Sequence, residues 1–544
     1  MKRQWIVGVI VGIVLLVVAL ADDGVRKETV MVPMRDGVRL ATDIYRPQGS
    51  GPFPVLLVRT PYNKDALGFI GADAVRRGYA AAIQDTRGRF ASEGANLPFE
   101  TDGWWGKAQD GLDTVEWLSS QPWCGKIGTL GGSALGITQL MLAGTGTRKV
   151  SAQVIHVGAH RPYGDMVFSG GVFRKAMVEG WLQATKFDPE ALKRWTRTDV
   201  YDAQWKERDL SLRFGQVHAP AVHVGGWYDI FAQATIDAFL GFQYKGGTGA
   251  RGRQKLIMGP WTHGIFQDKA GDLTFRNGRT PPAPYRDHWP WFDLYLKGEQ
   301  NGVDREPPVT YYTMGDTSDP SAPGNEWRQS STWPPKGLRT ERLYLTANRT
   351  LTFDKPREEG KLGYNYDPKN PVPTTGGPQL TLPAGPKDQR PVESRYDVLV
   401  FSTEPLTSPV EVTGKVLLKL YVSSDCPDTD FVGKLCDVYP DGRSYNVCEG
   451  ILRARFRNSF SKPEFMERGK VYPLTVDLWS TSIVFNKGHR IRIHVTSSNA
   501  PGWDPNPNTG EPFRASSRVR VARNTIYLGG KHASHVLLPM RRLR

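Results

Sequence analysis

The sequence predicts an α/β domain with an inserted helical cap, followed by an all-β, jelly-roll-like domain. Up to about residue 301, short apolar runs alternate with helix-like stretches, as in a mostly parallel sheet covered by helices on both faces. Between about residues 160 and 215, aromatic and basic residues at helical spacing replace this alternation, which indicates a small cap. From about Gly302, Pro/Gly-rich loops separate strand-like runs, which is typical of a β-sandwich.

The amino terminus, residues 1–21, has the features of a secretory signal peptide. Lys2 and Arg3 precede an apolar run from Trp5 to Leu20, and Ala19-Leu20-Ala21 offers a small-x-small cleavage site. The run is short for a membrane span, so we expect cleavage and a secreted or periplasmic body without stable membrane insertion. An uncleaved anchor is the alternative.

Residues 22–301 are predicted to form the first domain, in which a hairpin turns at Asp36-Gly37. The predicted sheet strands are residues 54–58, 79–84, 127–130, 151–157, 221–224 and 255–258, and the predicted helices include residues 110–118 and 289–297. The cap aromatics are Trp181, Phe187, Trp195 and Trp205. Together these elements describe a sheet whose carboxyl edge is covered by the cap.

Residues 302–544 are predicted to form the second domain, a β-sandwich. Its strand-like runs are residues 309–314, 342–345, 398–401, 410–422, 444–456, 471–478, 490–495 and 525–528. The long Pro/Gly-rich segment at residues 355–395 is either an excursion of this domain or a linker.

The charge balance gives little support to a nucleic-acid partner. The 544 residues carry a net charge of +15, from 70 basic and 55 acidic residues that are spread along the chain. Solvated basic faces explain such a balance, so we expect no nucleic-acid partner. Binding to nucleic acid or an anionic membrane remains an alternative on charge alone, and it would depend steeply on salt.

The cysteines and acidic loops do not predict a metal centre. One disulfide among Cys426, Cys436 and Cys448 is expected in an oxidising compartment, with its pairing open. No cysteine spacing resembles a zinc site. The loop from Asp504 to Gly510 resembles a calcium loop, but its glycine comes one position late and the closing glutamate is missing. We therefore expect neither a metal nor a cofactor.

One stretch, Lys126 to Gln139, has the pattern of a strand, a sharp turn and a helix. The apolar run Ile127 to Leu130 leads into Gly131-Gly132-Ser133, and apolar residues at helical spacing follow. A serine between glycines at such a turn is the nucleophile elbow of α/β-hydrolases, where backbone strain lifts Oγ clear of the sheet. Ser133 is the predicted nucleophile, and the alternative is a polar residue of an ordinary turn.

Two later loops supply the base and the acid that a serine nucleophile needs. In α/β-hydrolases the chain order is Ser, then Asp or Glu, then His, and such groups follow the carboxyl ends of strands. Asp229 and His263 each follow a predicted strand, and of the ten histidines only His263 has this order and position. We predict that His263 is the general base and that Asp229 fixes its tautomer. The alternatives are a helix cap for Asp229 and a structural loop role for His263.

The oxyanion of an acyl-transfer reaction needs two hydrogen-bond donors. The backbone N–H of Ala134, directly after the nucleophile, is one predicted donor. The second donor normally comes from the loop after an early strand, which here is Arg59 to Lys64. This loop has no glycine run, so we predict that the Tyr62 hydroxyl is the second donor. A packed tyrosine with its hydroxyl at the surface is the alternative.

Aromatic residues surround the predicted acid and base. We expect Trp227, Tyr228, Phe231 and Trp261 to line an apolar substrate pocket, with plain core packing as the alternative. The charged residues Asp85, Arg87 and Arg89 are better explained by a buried, salt-bridged loop below the site than by catalysis.

These motifs resemble the cocaine esterase, α-amino-acid ester hydrolase and X-Pro dipeptidyl-peptidase superfamily, the CocE/NonD-type serine hydrolases. The motifs are Gly131-x-Ser133-x-x-Gly136, Gly226-Trp-Tyr-Asp229, Gly259-Pro-Trp-x-His263, Arg59-x-Pro-Tyr62, Gln84-Asp-Thr-Arg-Gly-Arg89, Asp428-Thr-Asp-Phe431, Asp437-Val-Tyr-Pro-Asp-Gly442 and Asn506-Pro-Asn-Thr-Gly510. The resemblance extends from about residue 28 to the end. It implies an α/β-hydrolase domain, a cap, a jelly-roll carboxyl domain and hydrolysis through an acyl-enzyme. It also implies that Tyr62 and Ala134 supply the oxyanion donors.

The sequence departs from the family pattern at the nucleophile and in the cap. Family members usually carry Tyr directly after the nucleophile, whereas Ala134 keeps the N–H and makes the pocket roomier. The cap, of about 55 residues, is short. An acidic cluster for a substrate α-amino group is not evident, since Asp188, Glu190 and Asp202 form no convincing pattern.

The sequence therefore predicts a secreted serine hydrolase that cleaves ester or amide bonds of a small molecule or peptide, and an esterase or acylase is the favoured form. An exopeptidase of the X-Pro dipeptidyl-peptidase type is the alternative within the same chemistry. A non-catalytic jelly-roll binding protein is the alternative from another class. The acyl group, the leaving group and any homo-oligomer stay open.

Overall fold

The computed structural model describes residues 25–543, so the predicted signal peptide at residues 1–21 lies outside the described residues. The described chain has a mixed α/β half followed by an all-β half, which confirms the predicted fold class. In residues 25–543 no helix combines the length and the apolar character needed to cross a bilayer.

A ten-stranded mixed sheet forms the centre of the first half. The strands of this half, including two short hairpins outside the sheet, are β1 (Arg26–Pro33), β2 (Arg39–Arg46), β3 (Phe53–Thr60), β4 (Ala80–Asp85), β5 (Cys124–Gly132), β6 (Val150–His156), β7 (Phe168–Ser169), β8 (Val172–Phe173), β9 (Ala221–Gly226), β10 (Gln254–Gly259), β11 (Lys269–Ala270), β12 (Leu273–Thr274), β13 (Val309–Thr313) and β14 (Glu326–Ser330). The order in the sheet is β1-β2-β4-β3-β5-β6-β9-β10-β13-β14. The strands from β4 to β13 are parallel, and antiparallel strands close both ends.

The helices cover this sheet and build the cap. They are α1 (Gly68–Arg76), α2 (Asp110–Ser119), α3 (Ala134–Ala143), α4 (Lys175–Ala184), α5 (Glu190–Trp195), α6 (Ala203–Glu207), α7 (Ala232–Lys245) and α8 (Trp289–Phe292). A further short helix, α9 (Arg390–Glu393), lies in the all-β half. The chain continues from α8 into a π-helical turn, Asp293–Lys297. Every residue of β4, β9 and β10 is buried, as expected for parallel strands with both faces covered.

The run at residues 309–313 lies in the large sheet and not in the all-β domain to which the sequence pattern assigned it. β13 runs parallel to β10, with Val309 opposite Leu256, and β14 pairs antiparallel with β13. The apolar pattern of the run identifies a strand, but loop composition does not specify which of two sheets the strand joins. The first half therefore extends to about residue 330.

The second half consists of two antiparallel sheets packed on a shared core. Its strands are β15 (Arg339–Leu345), β16 (Leu351–Thr352), β17 (Gly360–Tyr366), β18 (Leu399–Ser402), β19 (Val410–Ser424), β20 (Asp430–Val438), β21 (Ser444–Arg453), β22 (Tyr472–Phe485), β23 (Arg490–Thr496), β24 (Ala522–Leu528) and β25 (His535–Arg542). One sheet has the order β16-β15-β25-β19-β24-β17, with β22 also paired to β19, and the other has the order β18-β23-β20-β21.

The expected disulfide is not present, because all four cysteines are free. The Sγ atom of Cys436 lies 3.8 Å from Nε2 of His494, and that of Cys426 lies 3.7 Å from the carbonyl oxygen of Val521. These thiols sit in separate packed environments, and burial raises the pKa of the Cys426 thiol to about 12.

The cap lies between β6 and β9 and is fixed to the all-β half. Asp199 in the cap forms an ion pair with Arg455, and the N–H of Asp504 donates to the carbonyl of Phe173. The loop that resembles a calcium site is a structural loop, since the side-chain amide of Asn506 donates to both Asp428 and Asp430. Among the described residues, no group of three or more metal-ligating side chains is arranged to hold an ion.

Candidate active site

The strand-turn-helix pattern places Ser133 on a sharp turn between β5 and α3. Its backbone has φ 57° and ψ −122°, in the left-handed region that strains a side-chain-bearing residue. The turn also requires small neighbours. A Cβ on Gly131 would lie 2.5 Å from Cβ of Leu135, and one on Gly136 would lie 2.8 Å from the carbonyl oxygen of His156. This geometry is that of a nucleophile elbow.

Ser133, His263 and Asp229 form one hydrogen-bonded row. The Oγ atom of Ser133 lies 2.8 Å from Nε2 of His263, and Nδ1 of His263 lies 2.6 Å from Oδ1 of Asp229. Asp229 is fully buried, and its Oδ2 accepts a hydrogen bond of 3.0 Å from the N–H of Phe231. Each polar atom of the acid therefore has a defined partner, so the imidazole is held in one orientation.

The row is assembled because β9 and β10 are neighbours in register. Gly226 lies opposite Gly259 at the ends of these strands, so the loops that carry Asp229 and His263 emerge side by side. Two backbone hydrogen bonds fasten the loops together: the N–H of Trp227 donates to Gly259, and the N–H of Tyr228 donates to Trp261. Asp229 and His263, which the sequence places after the ends of two strands, therefore lie side by side.

The predicted oxyanion donors are the backbone N–H of Ala134 and the hydroxyl of Tyr62. Ala134 is the first residue of α3, where backbone N–H groups have no intrahelical acceptor. The Tyr62 hydroxyl accepts a hydrogen bond of 2.9 Å from the indole Nε1–H of Trp181, and Trp181 lines the same cavity as Ser133 and Ala134. Burial raises the pKa of Tyr62, and the hydrogen bond from Trp181 partly offsets this increase.

A buried cation, Arg174, lies beside the acid. It precedes α4 and donates to the backbone carbonyls of Asp165 and of Ile230, the residue after Asp229. Burial lowers the pKa of Arg174 to about 10, while the charges of Asp229 and Asp165 act in the opposite direction. Arg174 therefore links the start of the cap helix to the loop of the acid and places a buried positive charge near Asp229.

An apolar cavity opens beside Ser133. Its volume is about 30 Å³, which corresponds to roughly two water molecules. The lining residues are Phe99, Ser133, Ala134, Ile137, Met166, Met177, Val178, Trp181, Trp195, Ile230, Phe231 and Leu380. Apart from Ser133, no lining side chain has a charged or hydroxyl group, so the cavity suits an apolar group of the substrate.

Of the four predicted pocket residues, only Phe231 lines this cavity. The other three are buried and do not line it, which favours the alternative of core packing for them. The indole of Trp227 donates to the carbonyl of Tyr312, the hydroxyl of Tyr228 donates to Asn446, and the indole of Trp261 donates to Gly278. Their neighbours in the chain face the site, but these three rings point toward the core behind it.

The charged loop below the site has the structural role that was expected for it. Arg87 pairs with Asp110 and Asp36, and an oxygen of Asp85 accepts from the N–H of Lys64. Arg89 donates to the carbonyls of Pro61 and Thr185, so it joins the loop of Tyr62 to the end of α4.

Sequence reasoning did not identify most of the cavity lining. Phe99 lies in a loop after β4, and Leu380 belongs to the long Pro/Gly-rich segment of the all-β half, which is an excursion and not a linker. Trp181 and Trp195 were recognised as cap aromatics without a role at the site. A cap over the carboxyl edge of the sheet was the one signal that pointed to them.

The fold and the aligned side chains define the class: the chain is a serine hydrolase with an α/β-hydrolase domain and an all-β carboxyl domain. Comparison with known proteins supports the same class. A family model described as X-Pro dipeptidyl-peptidase (S15 family) matches residues 36–191 and 181–265. A second, described as the X-Pro dipeptidyl-peptidase C-terminal non-catalytic domain, matches residues 301–537.

Similar proteins cover nearly the whole chain. The cocaine esterase of Rhodococcus sp. (strain MB1 Bresler) is 36% identical, over 94% of this chain and 98% of the relative. The structure of an α-amino acid ester hydrolase is 27% identical with a TM-score of 0.80, covering 96% of this chain and 98% of that one. An aminopeptidase from a marine sediment Thaumarchaeota archaeon is 25% identical, also with a TM-score of 0.80, covering 95% and 96%. The chain belongs to the cocaine esterase, α-amino-acid ester hydrolase and X-Pro dipeptidyl-peptidase superfamily.

Proposed function

We propose that this protein is an esterase that hydrolyses carboxylic esters with an apolar acyl group through an acyl-enzyme. The observation that carries the proposal is the hydrogen-bonded row of Ser133, His263 and Asp229 at the mouth of an uncharged cavity. The 36% identity with a cocaine esterase supports ester cleavage as the reaction.

In the acylation step, Oγ of Ser133 attacks the ester carbonyl while Nε2 of His263 takes its proton. Asp229 holds the Nδ1–H tautomer and stabilises the imidazolium that forms. The N–H of Ala134 and the hydroxyl of Tyr62 donate to the oxyanion of the tetrahedral intermediate. The intermediate collapses when the imidazolium protonates the departing alcohol, which leaves the acyl group on Ser133.

In the deacylation step, His263 accepts a proton from a water molecule as that water attacks the acyl carbonyl. The second tetrahedral intermediate uses the same two donors. Its collapse returns the proton from His263 to Oγ of Ser133 and releases the carboxylic acid. The cycle consumes one ester and one water and needs no other reactant.

A second candidate is an exopeptidase of the X-Pro dipeptidyl-peptidase type. The family models of that name and the 25% identical aminopeptidase structure favour it. Such an enzyme needs an anionic group for the free substrate amine, and the carboxylates considered for this role are engaged elsewhere. Asp202 caps α6 and pairs with Arg197, and Asp188 accepts from the N–H of Glu190. We therefore rank it below the esterase.

Parallel assays of residues 22–544 on p-nitrophenyl butyrate, p-nitrophenyl acetate and an X-Pro-p-nitroanilide test the proposal. We expect turnover of the esters, little turnover of the anilide, and loss of activity in Ser133→Ala but not in the exposed control Ser120→Ala. Preferred turnover of the anilide would replace the esterase by the peptidase. Folded protein that turns over neither and resists a fluorophosphonate would leave the non-catalytic binding protein as the function.

We further propose that the mature protein is secreted or periplasmic, which rests on the signal-like residues 1–21. Expression of the full chain followed by amino-terminal sequencing of the exported protein tests this. A new terminus at about residue 22 is the expected result. A terminus at Met1 in membrane-bound protein would instead favour the uncleaved anchor.

A further inference from the structure

The hydroxyl of Tyr62 has a partner in the cap. The indole Nε1–H of Trp181, on α4, lies 2.9 Å from Oη of Tyr62 although the two residues are 119 positions apart. An indole N–H is a donor only, so the tyrosine oxygen is the acceptor in this hydrogen bond. The phenolic proton is therefore not used by Trp181 and is free to point at another group. Trp181 lines the same cavity as Ser133 and Ala134, so the hydroxyl to which it donates lies next to the proposed nucleophile's cavity.

We propose that Trp181 is a positioning residue for the oxyanion donor: it occupies the acceptor side of the Tyr62 hydroxyl and so directs the phenolic proton toward the substrate oxyanion. This inference rests on the proposed function, in which Tyr62 donates to the oxyanion. It assigns to the cap a part in the chemistry as well as in covering the cavity.

The indole of Trp181 is held firmly enough to act in this way. It packs against two nearly parallel rings, Phe99 at 5.7 Å and 2° and Trp195 at 6.2 Å and 7° between ring planes. These two rings are 6.5 Å from each other, so the three rings form one cluster. Phe187 packs against the indole at 5.0 Å. Rotation of the indole would break these contacts with Phe99, Trp195 and Phe187, so the packing holds the direction of the N–H.

The loop of Tyr62 does not fix the phenolic proton by itself. The N–H of Tyr62 donates to Oγ1 of Thr60, and Arg89 holds the carbonyl of Pro61. These contacts place the backbone and the ring, but the O–H bond still rotates about the C–O bond. A donor on the oxygen restricts that rotation, and it also polarises the hydroxyl so that it donates more strongly.

A double-mutant cycle tests the inference. The variants are Tyr62→Phe, Trp181→Phe and both together, with kcat and KM measured on p-nitrophenyl butyrate. Tyr62→Phe should lower kcat by about 100-fold, as expected for loss of one oxyanion donor. Trp181→Phe should lower kcat by roughly 10-fold in the presence of Tyr62 and cause no further loss in the Tyr62→Phe background, because both changes remove the same interaction.

Trp104→Phe is the matched control. The indole of Trp104 also donates across to the cap, at 2.8 Å from the carbonyl oxygen of Glu207, but it does not contact Tyr62. We expect kcat of this variant to stay within about twofold of that of the original protein, since the lost hydrogen bond does not involve the Tyr62 hydroxyl. A loss equal to that of Trp181→Phe would show that cap attachment alone causes the effect and would overturn the inference.

The replacement of Trp181 by benzothienylalanine separates the N–H from the ring, because sulfur replaces the N–H in a ring of nearly the same shape. The expected result is the same loss in kcat as in Trp181→Phe, with KM little changed. Full activity of this variant, or an equal loss from Trp181→Phe in both backgrounds, would overturn the inference and leave the esterase standing. An unchanged kcat in Tyr62→Phe would instead show that Tyr62 is not an oxyanion donor. Ester hydrolysis by Ser133→Ala at the original rate would reject the proposed function itself.

Discussion

The carboxylate of Asp229 determines which nitrogen of His263 carries the proton. Because Oδ1 of Asp229 accepts from Nδ1 at 2.6 Å, Nε2 is the nitrogen left to accept the proton of Ser133. The N–H of Phe231 donates to Oδ2 of Asp229, and Arg174 donates to the carbonyl of the next residue, Ile230. The orientation of His263 thus depends on an acid that is itself held by its neighbours.

Asp229→Asn is expected to lower kcat by about 10⁴-fold with KM little changed, because an amide would favour the wrong tautomer of His263. Steady-state kinetics on p-nitrophenyl butyrate measure the change. Asp73→Asn, at an exposed position of α1, is the control and should be fully active. A loss of less than about tenfold in Asp229→Asn would contradict the role of the acid.

Single residues also mark the limit of what the sequence could predict at the site. Ser133, Asp229 and His263 were identified because strand ends and chain order constrain them. Trp227 and Trp261 do not line the cavity, because a residue two positions from Asp229 or His263 can point to either side of its loop. Leu380 could not be assigned, since its place at the cavity depends on the path of a long irregular segment.

The elbow is the element whose geometry depends most on small side chains. α3 approaches β6 so closely that a Cβ on Gly136 would lie 2.8 Å from the carbonyl oxygen of His156 and 3.4 Å from Cα of Gly158. Both neighbours are backbone atoms, which cannot move aside as the end of a flexible side chain can. The carbonyl oxygen of His156 in β6 also accepts a hydrogen bond of 3.0 Å from the N–H of Ser133.

Gly136→Val is therefore expected to destabilise the fold by about 1–3 kcal/mol and to lower kcat, because α3 must move away from the elbow. Urea unfolding and ester hydrolysis measure the two effects. Gly215→Ala is the control, since a Cβ there meets no atom within 4 Å. Unchanged stability and activity in Gly136→Val would show that the elbow tolerates a wider separation.

The two halves of the molecule share structure across the boundary that the sequence suggests. The family's carboxyl-terminal domain begins at residue 301 by sequence, yet β13 and β14 complete the large sheet of the first half. The indole of Trp227 donates to Tyr312 in β13 and stacks on Trp333 at 5.6 Å. The alternation of strands and helices predicted the sheet, but its last two strands follow a connection that has no such pattern.

A protein ending at residue 301 is therefore expected to be inactive and to lack a cooperative unfolding transition. Its sheet would end at β10 with an open edge and with the ring of Trp227 exposed. Circular dichroism during heating and ester hydrolysis measure this, with residues 22–544 as the control. A folded, active fragment would show that β13 and β14 are dispensable.

His489 joins the two halves through two carboxylates. Its Nδ1 lies 2.9 Å from Asp437 in β20, and its Nε2 lies 3.2 Å from Asp316, just after β13. Burial lowers the pKa of His489, but the hydrogen bonds and charges of Asp437 and Asp316 outweigh it, so the pKa is raised above its ordinary value. The stabilisation from this contact is fully present below the unfolded pKa of about 6.5 and is lost as pH rises through the folded pKa.

The difference in unfolding free energy between the original protein and His489→Gln is accordingly expected to be larger at pH 6 than at pH 9. Urea unfolding at both pH values gives the two differences. His532→Gln, at a partly exposed position, is the control and should show only a small difference in unfolding free energy. An equal effect of His489→Gln at both pH values would mean that the charge on His489 does not contribute.

Leu380 reaches the cavity from the carboxyl half, while Trp181 comes from the cap and Phe99 from a loop of the catalytic half. The lining of the cavity is therefore encoded by three distant parts of one gene. Exchange of the cap alone between relatives would replace only the lining residues that the cap contributes. A change of preferred substrate in this lineage would then require coordinated substitutions in segments that recombination can separate.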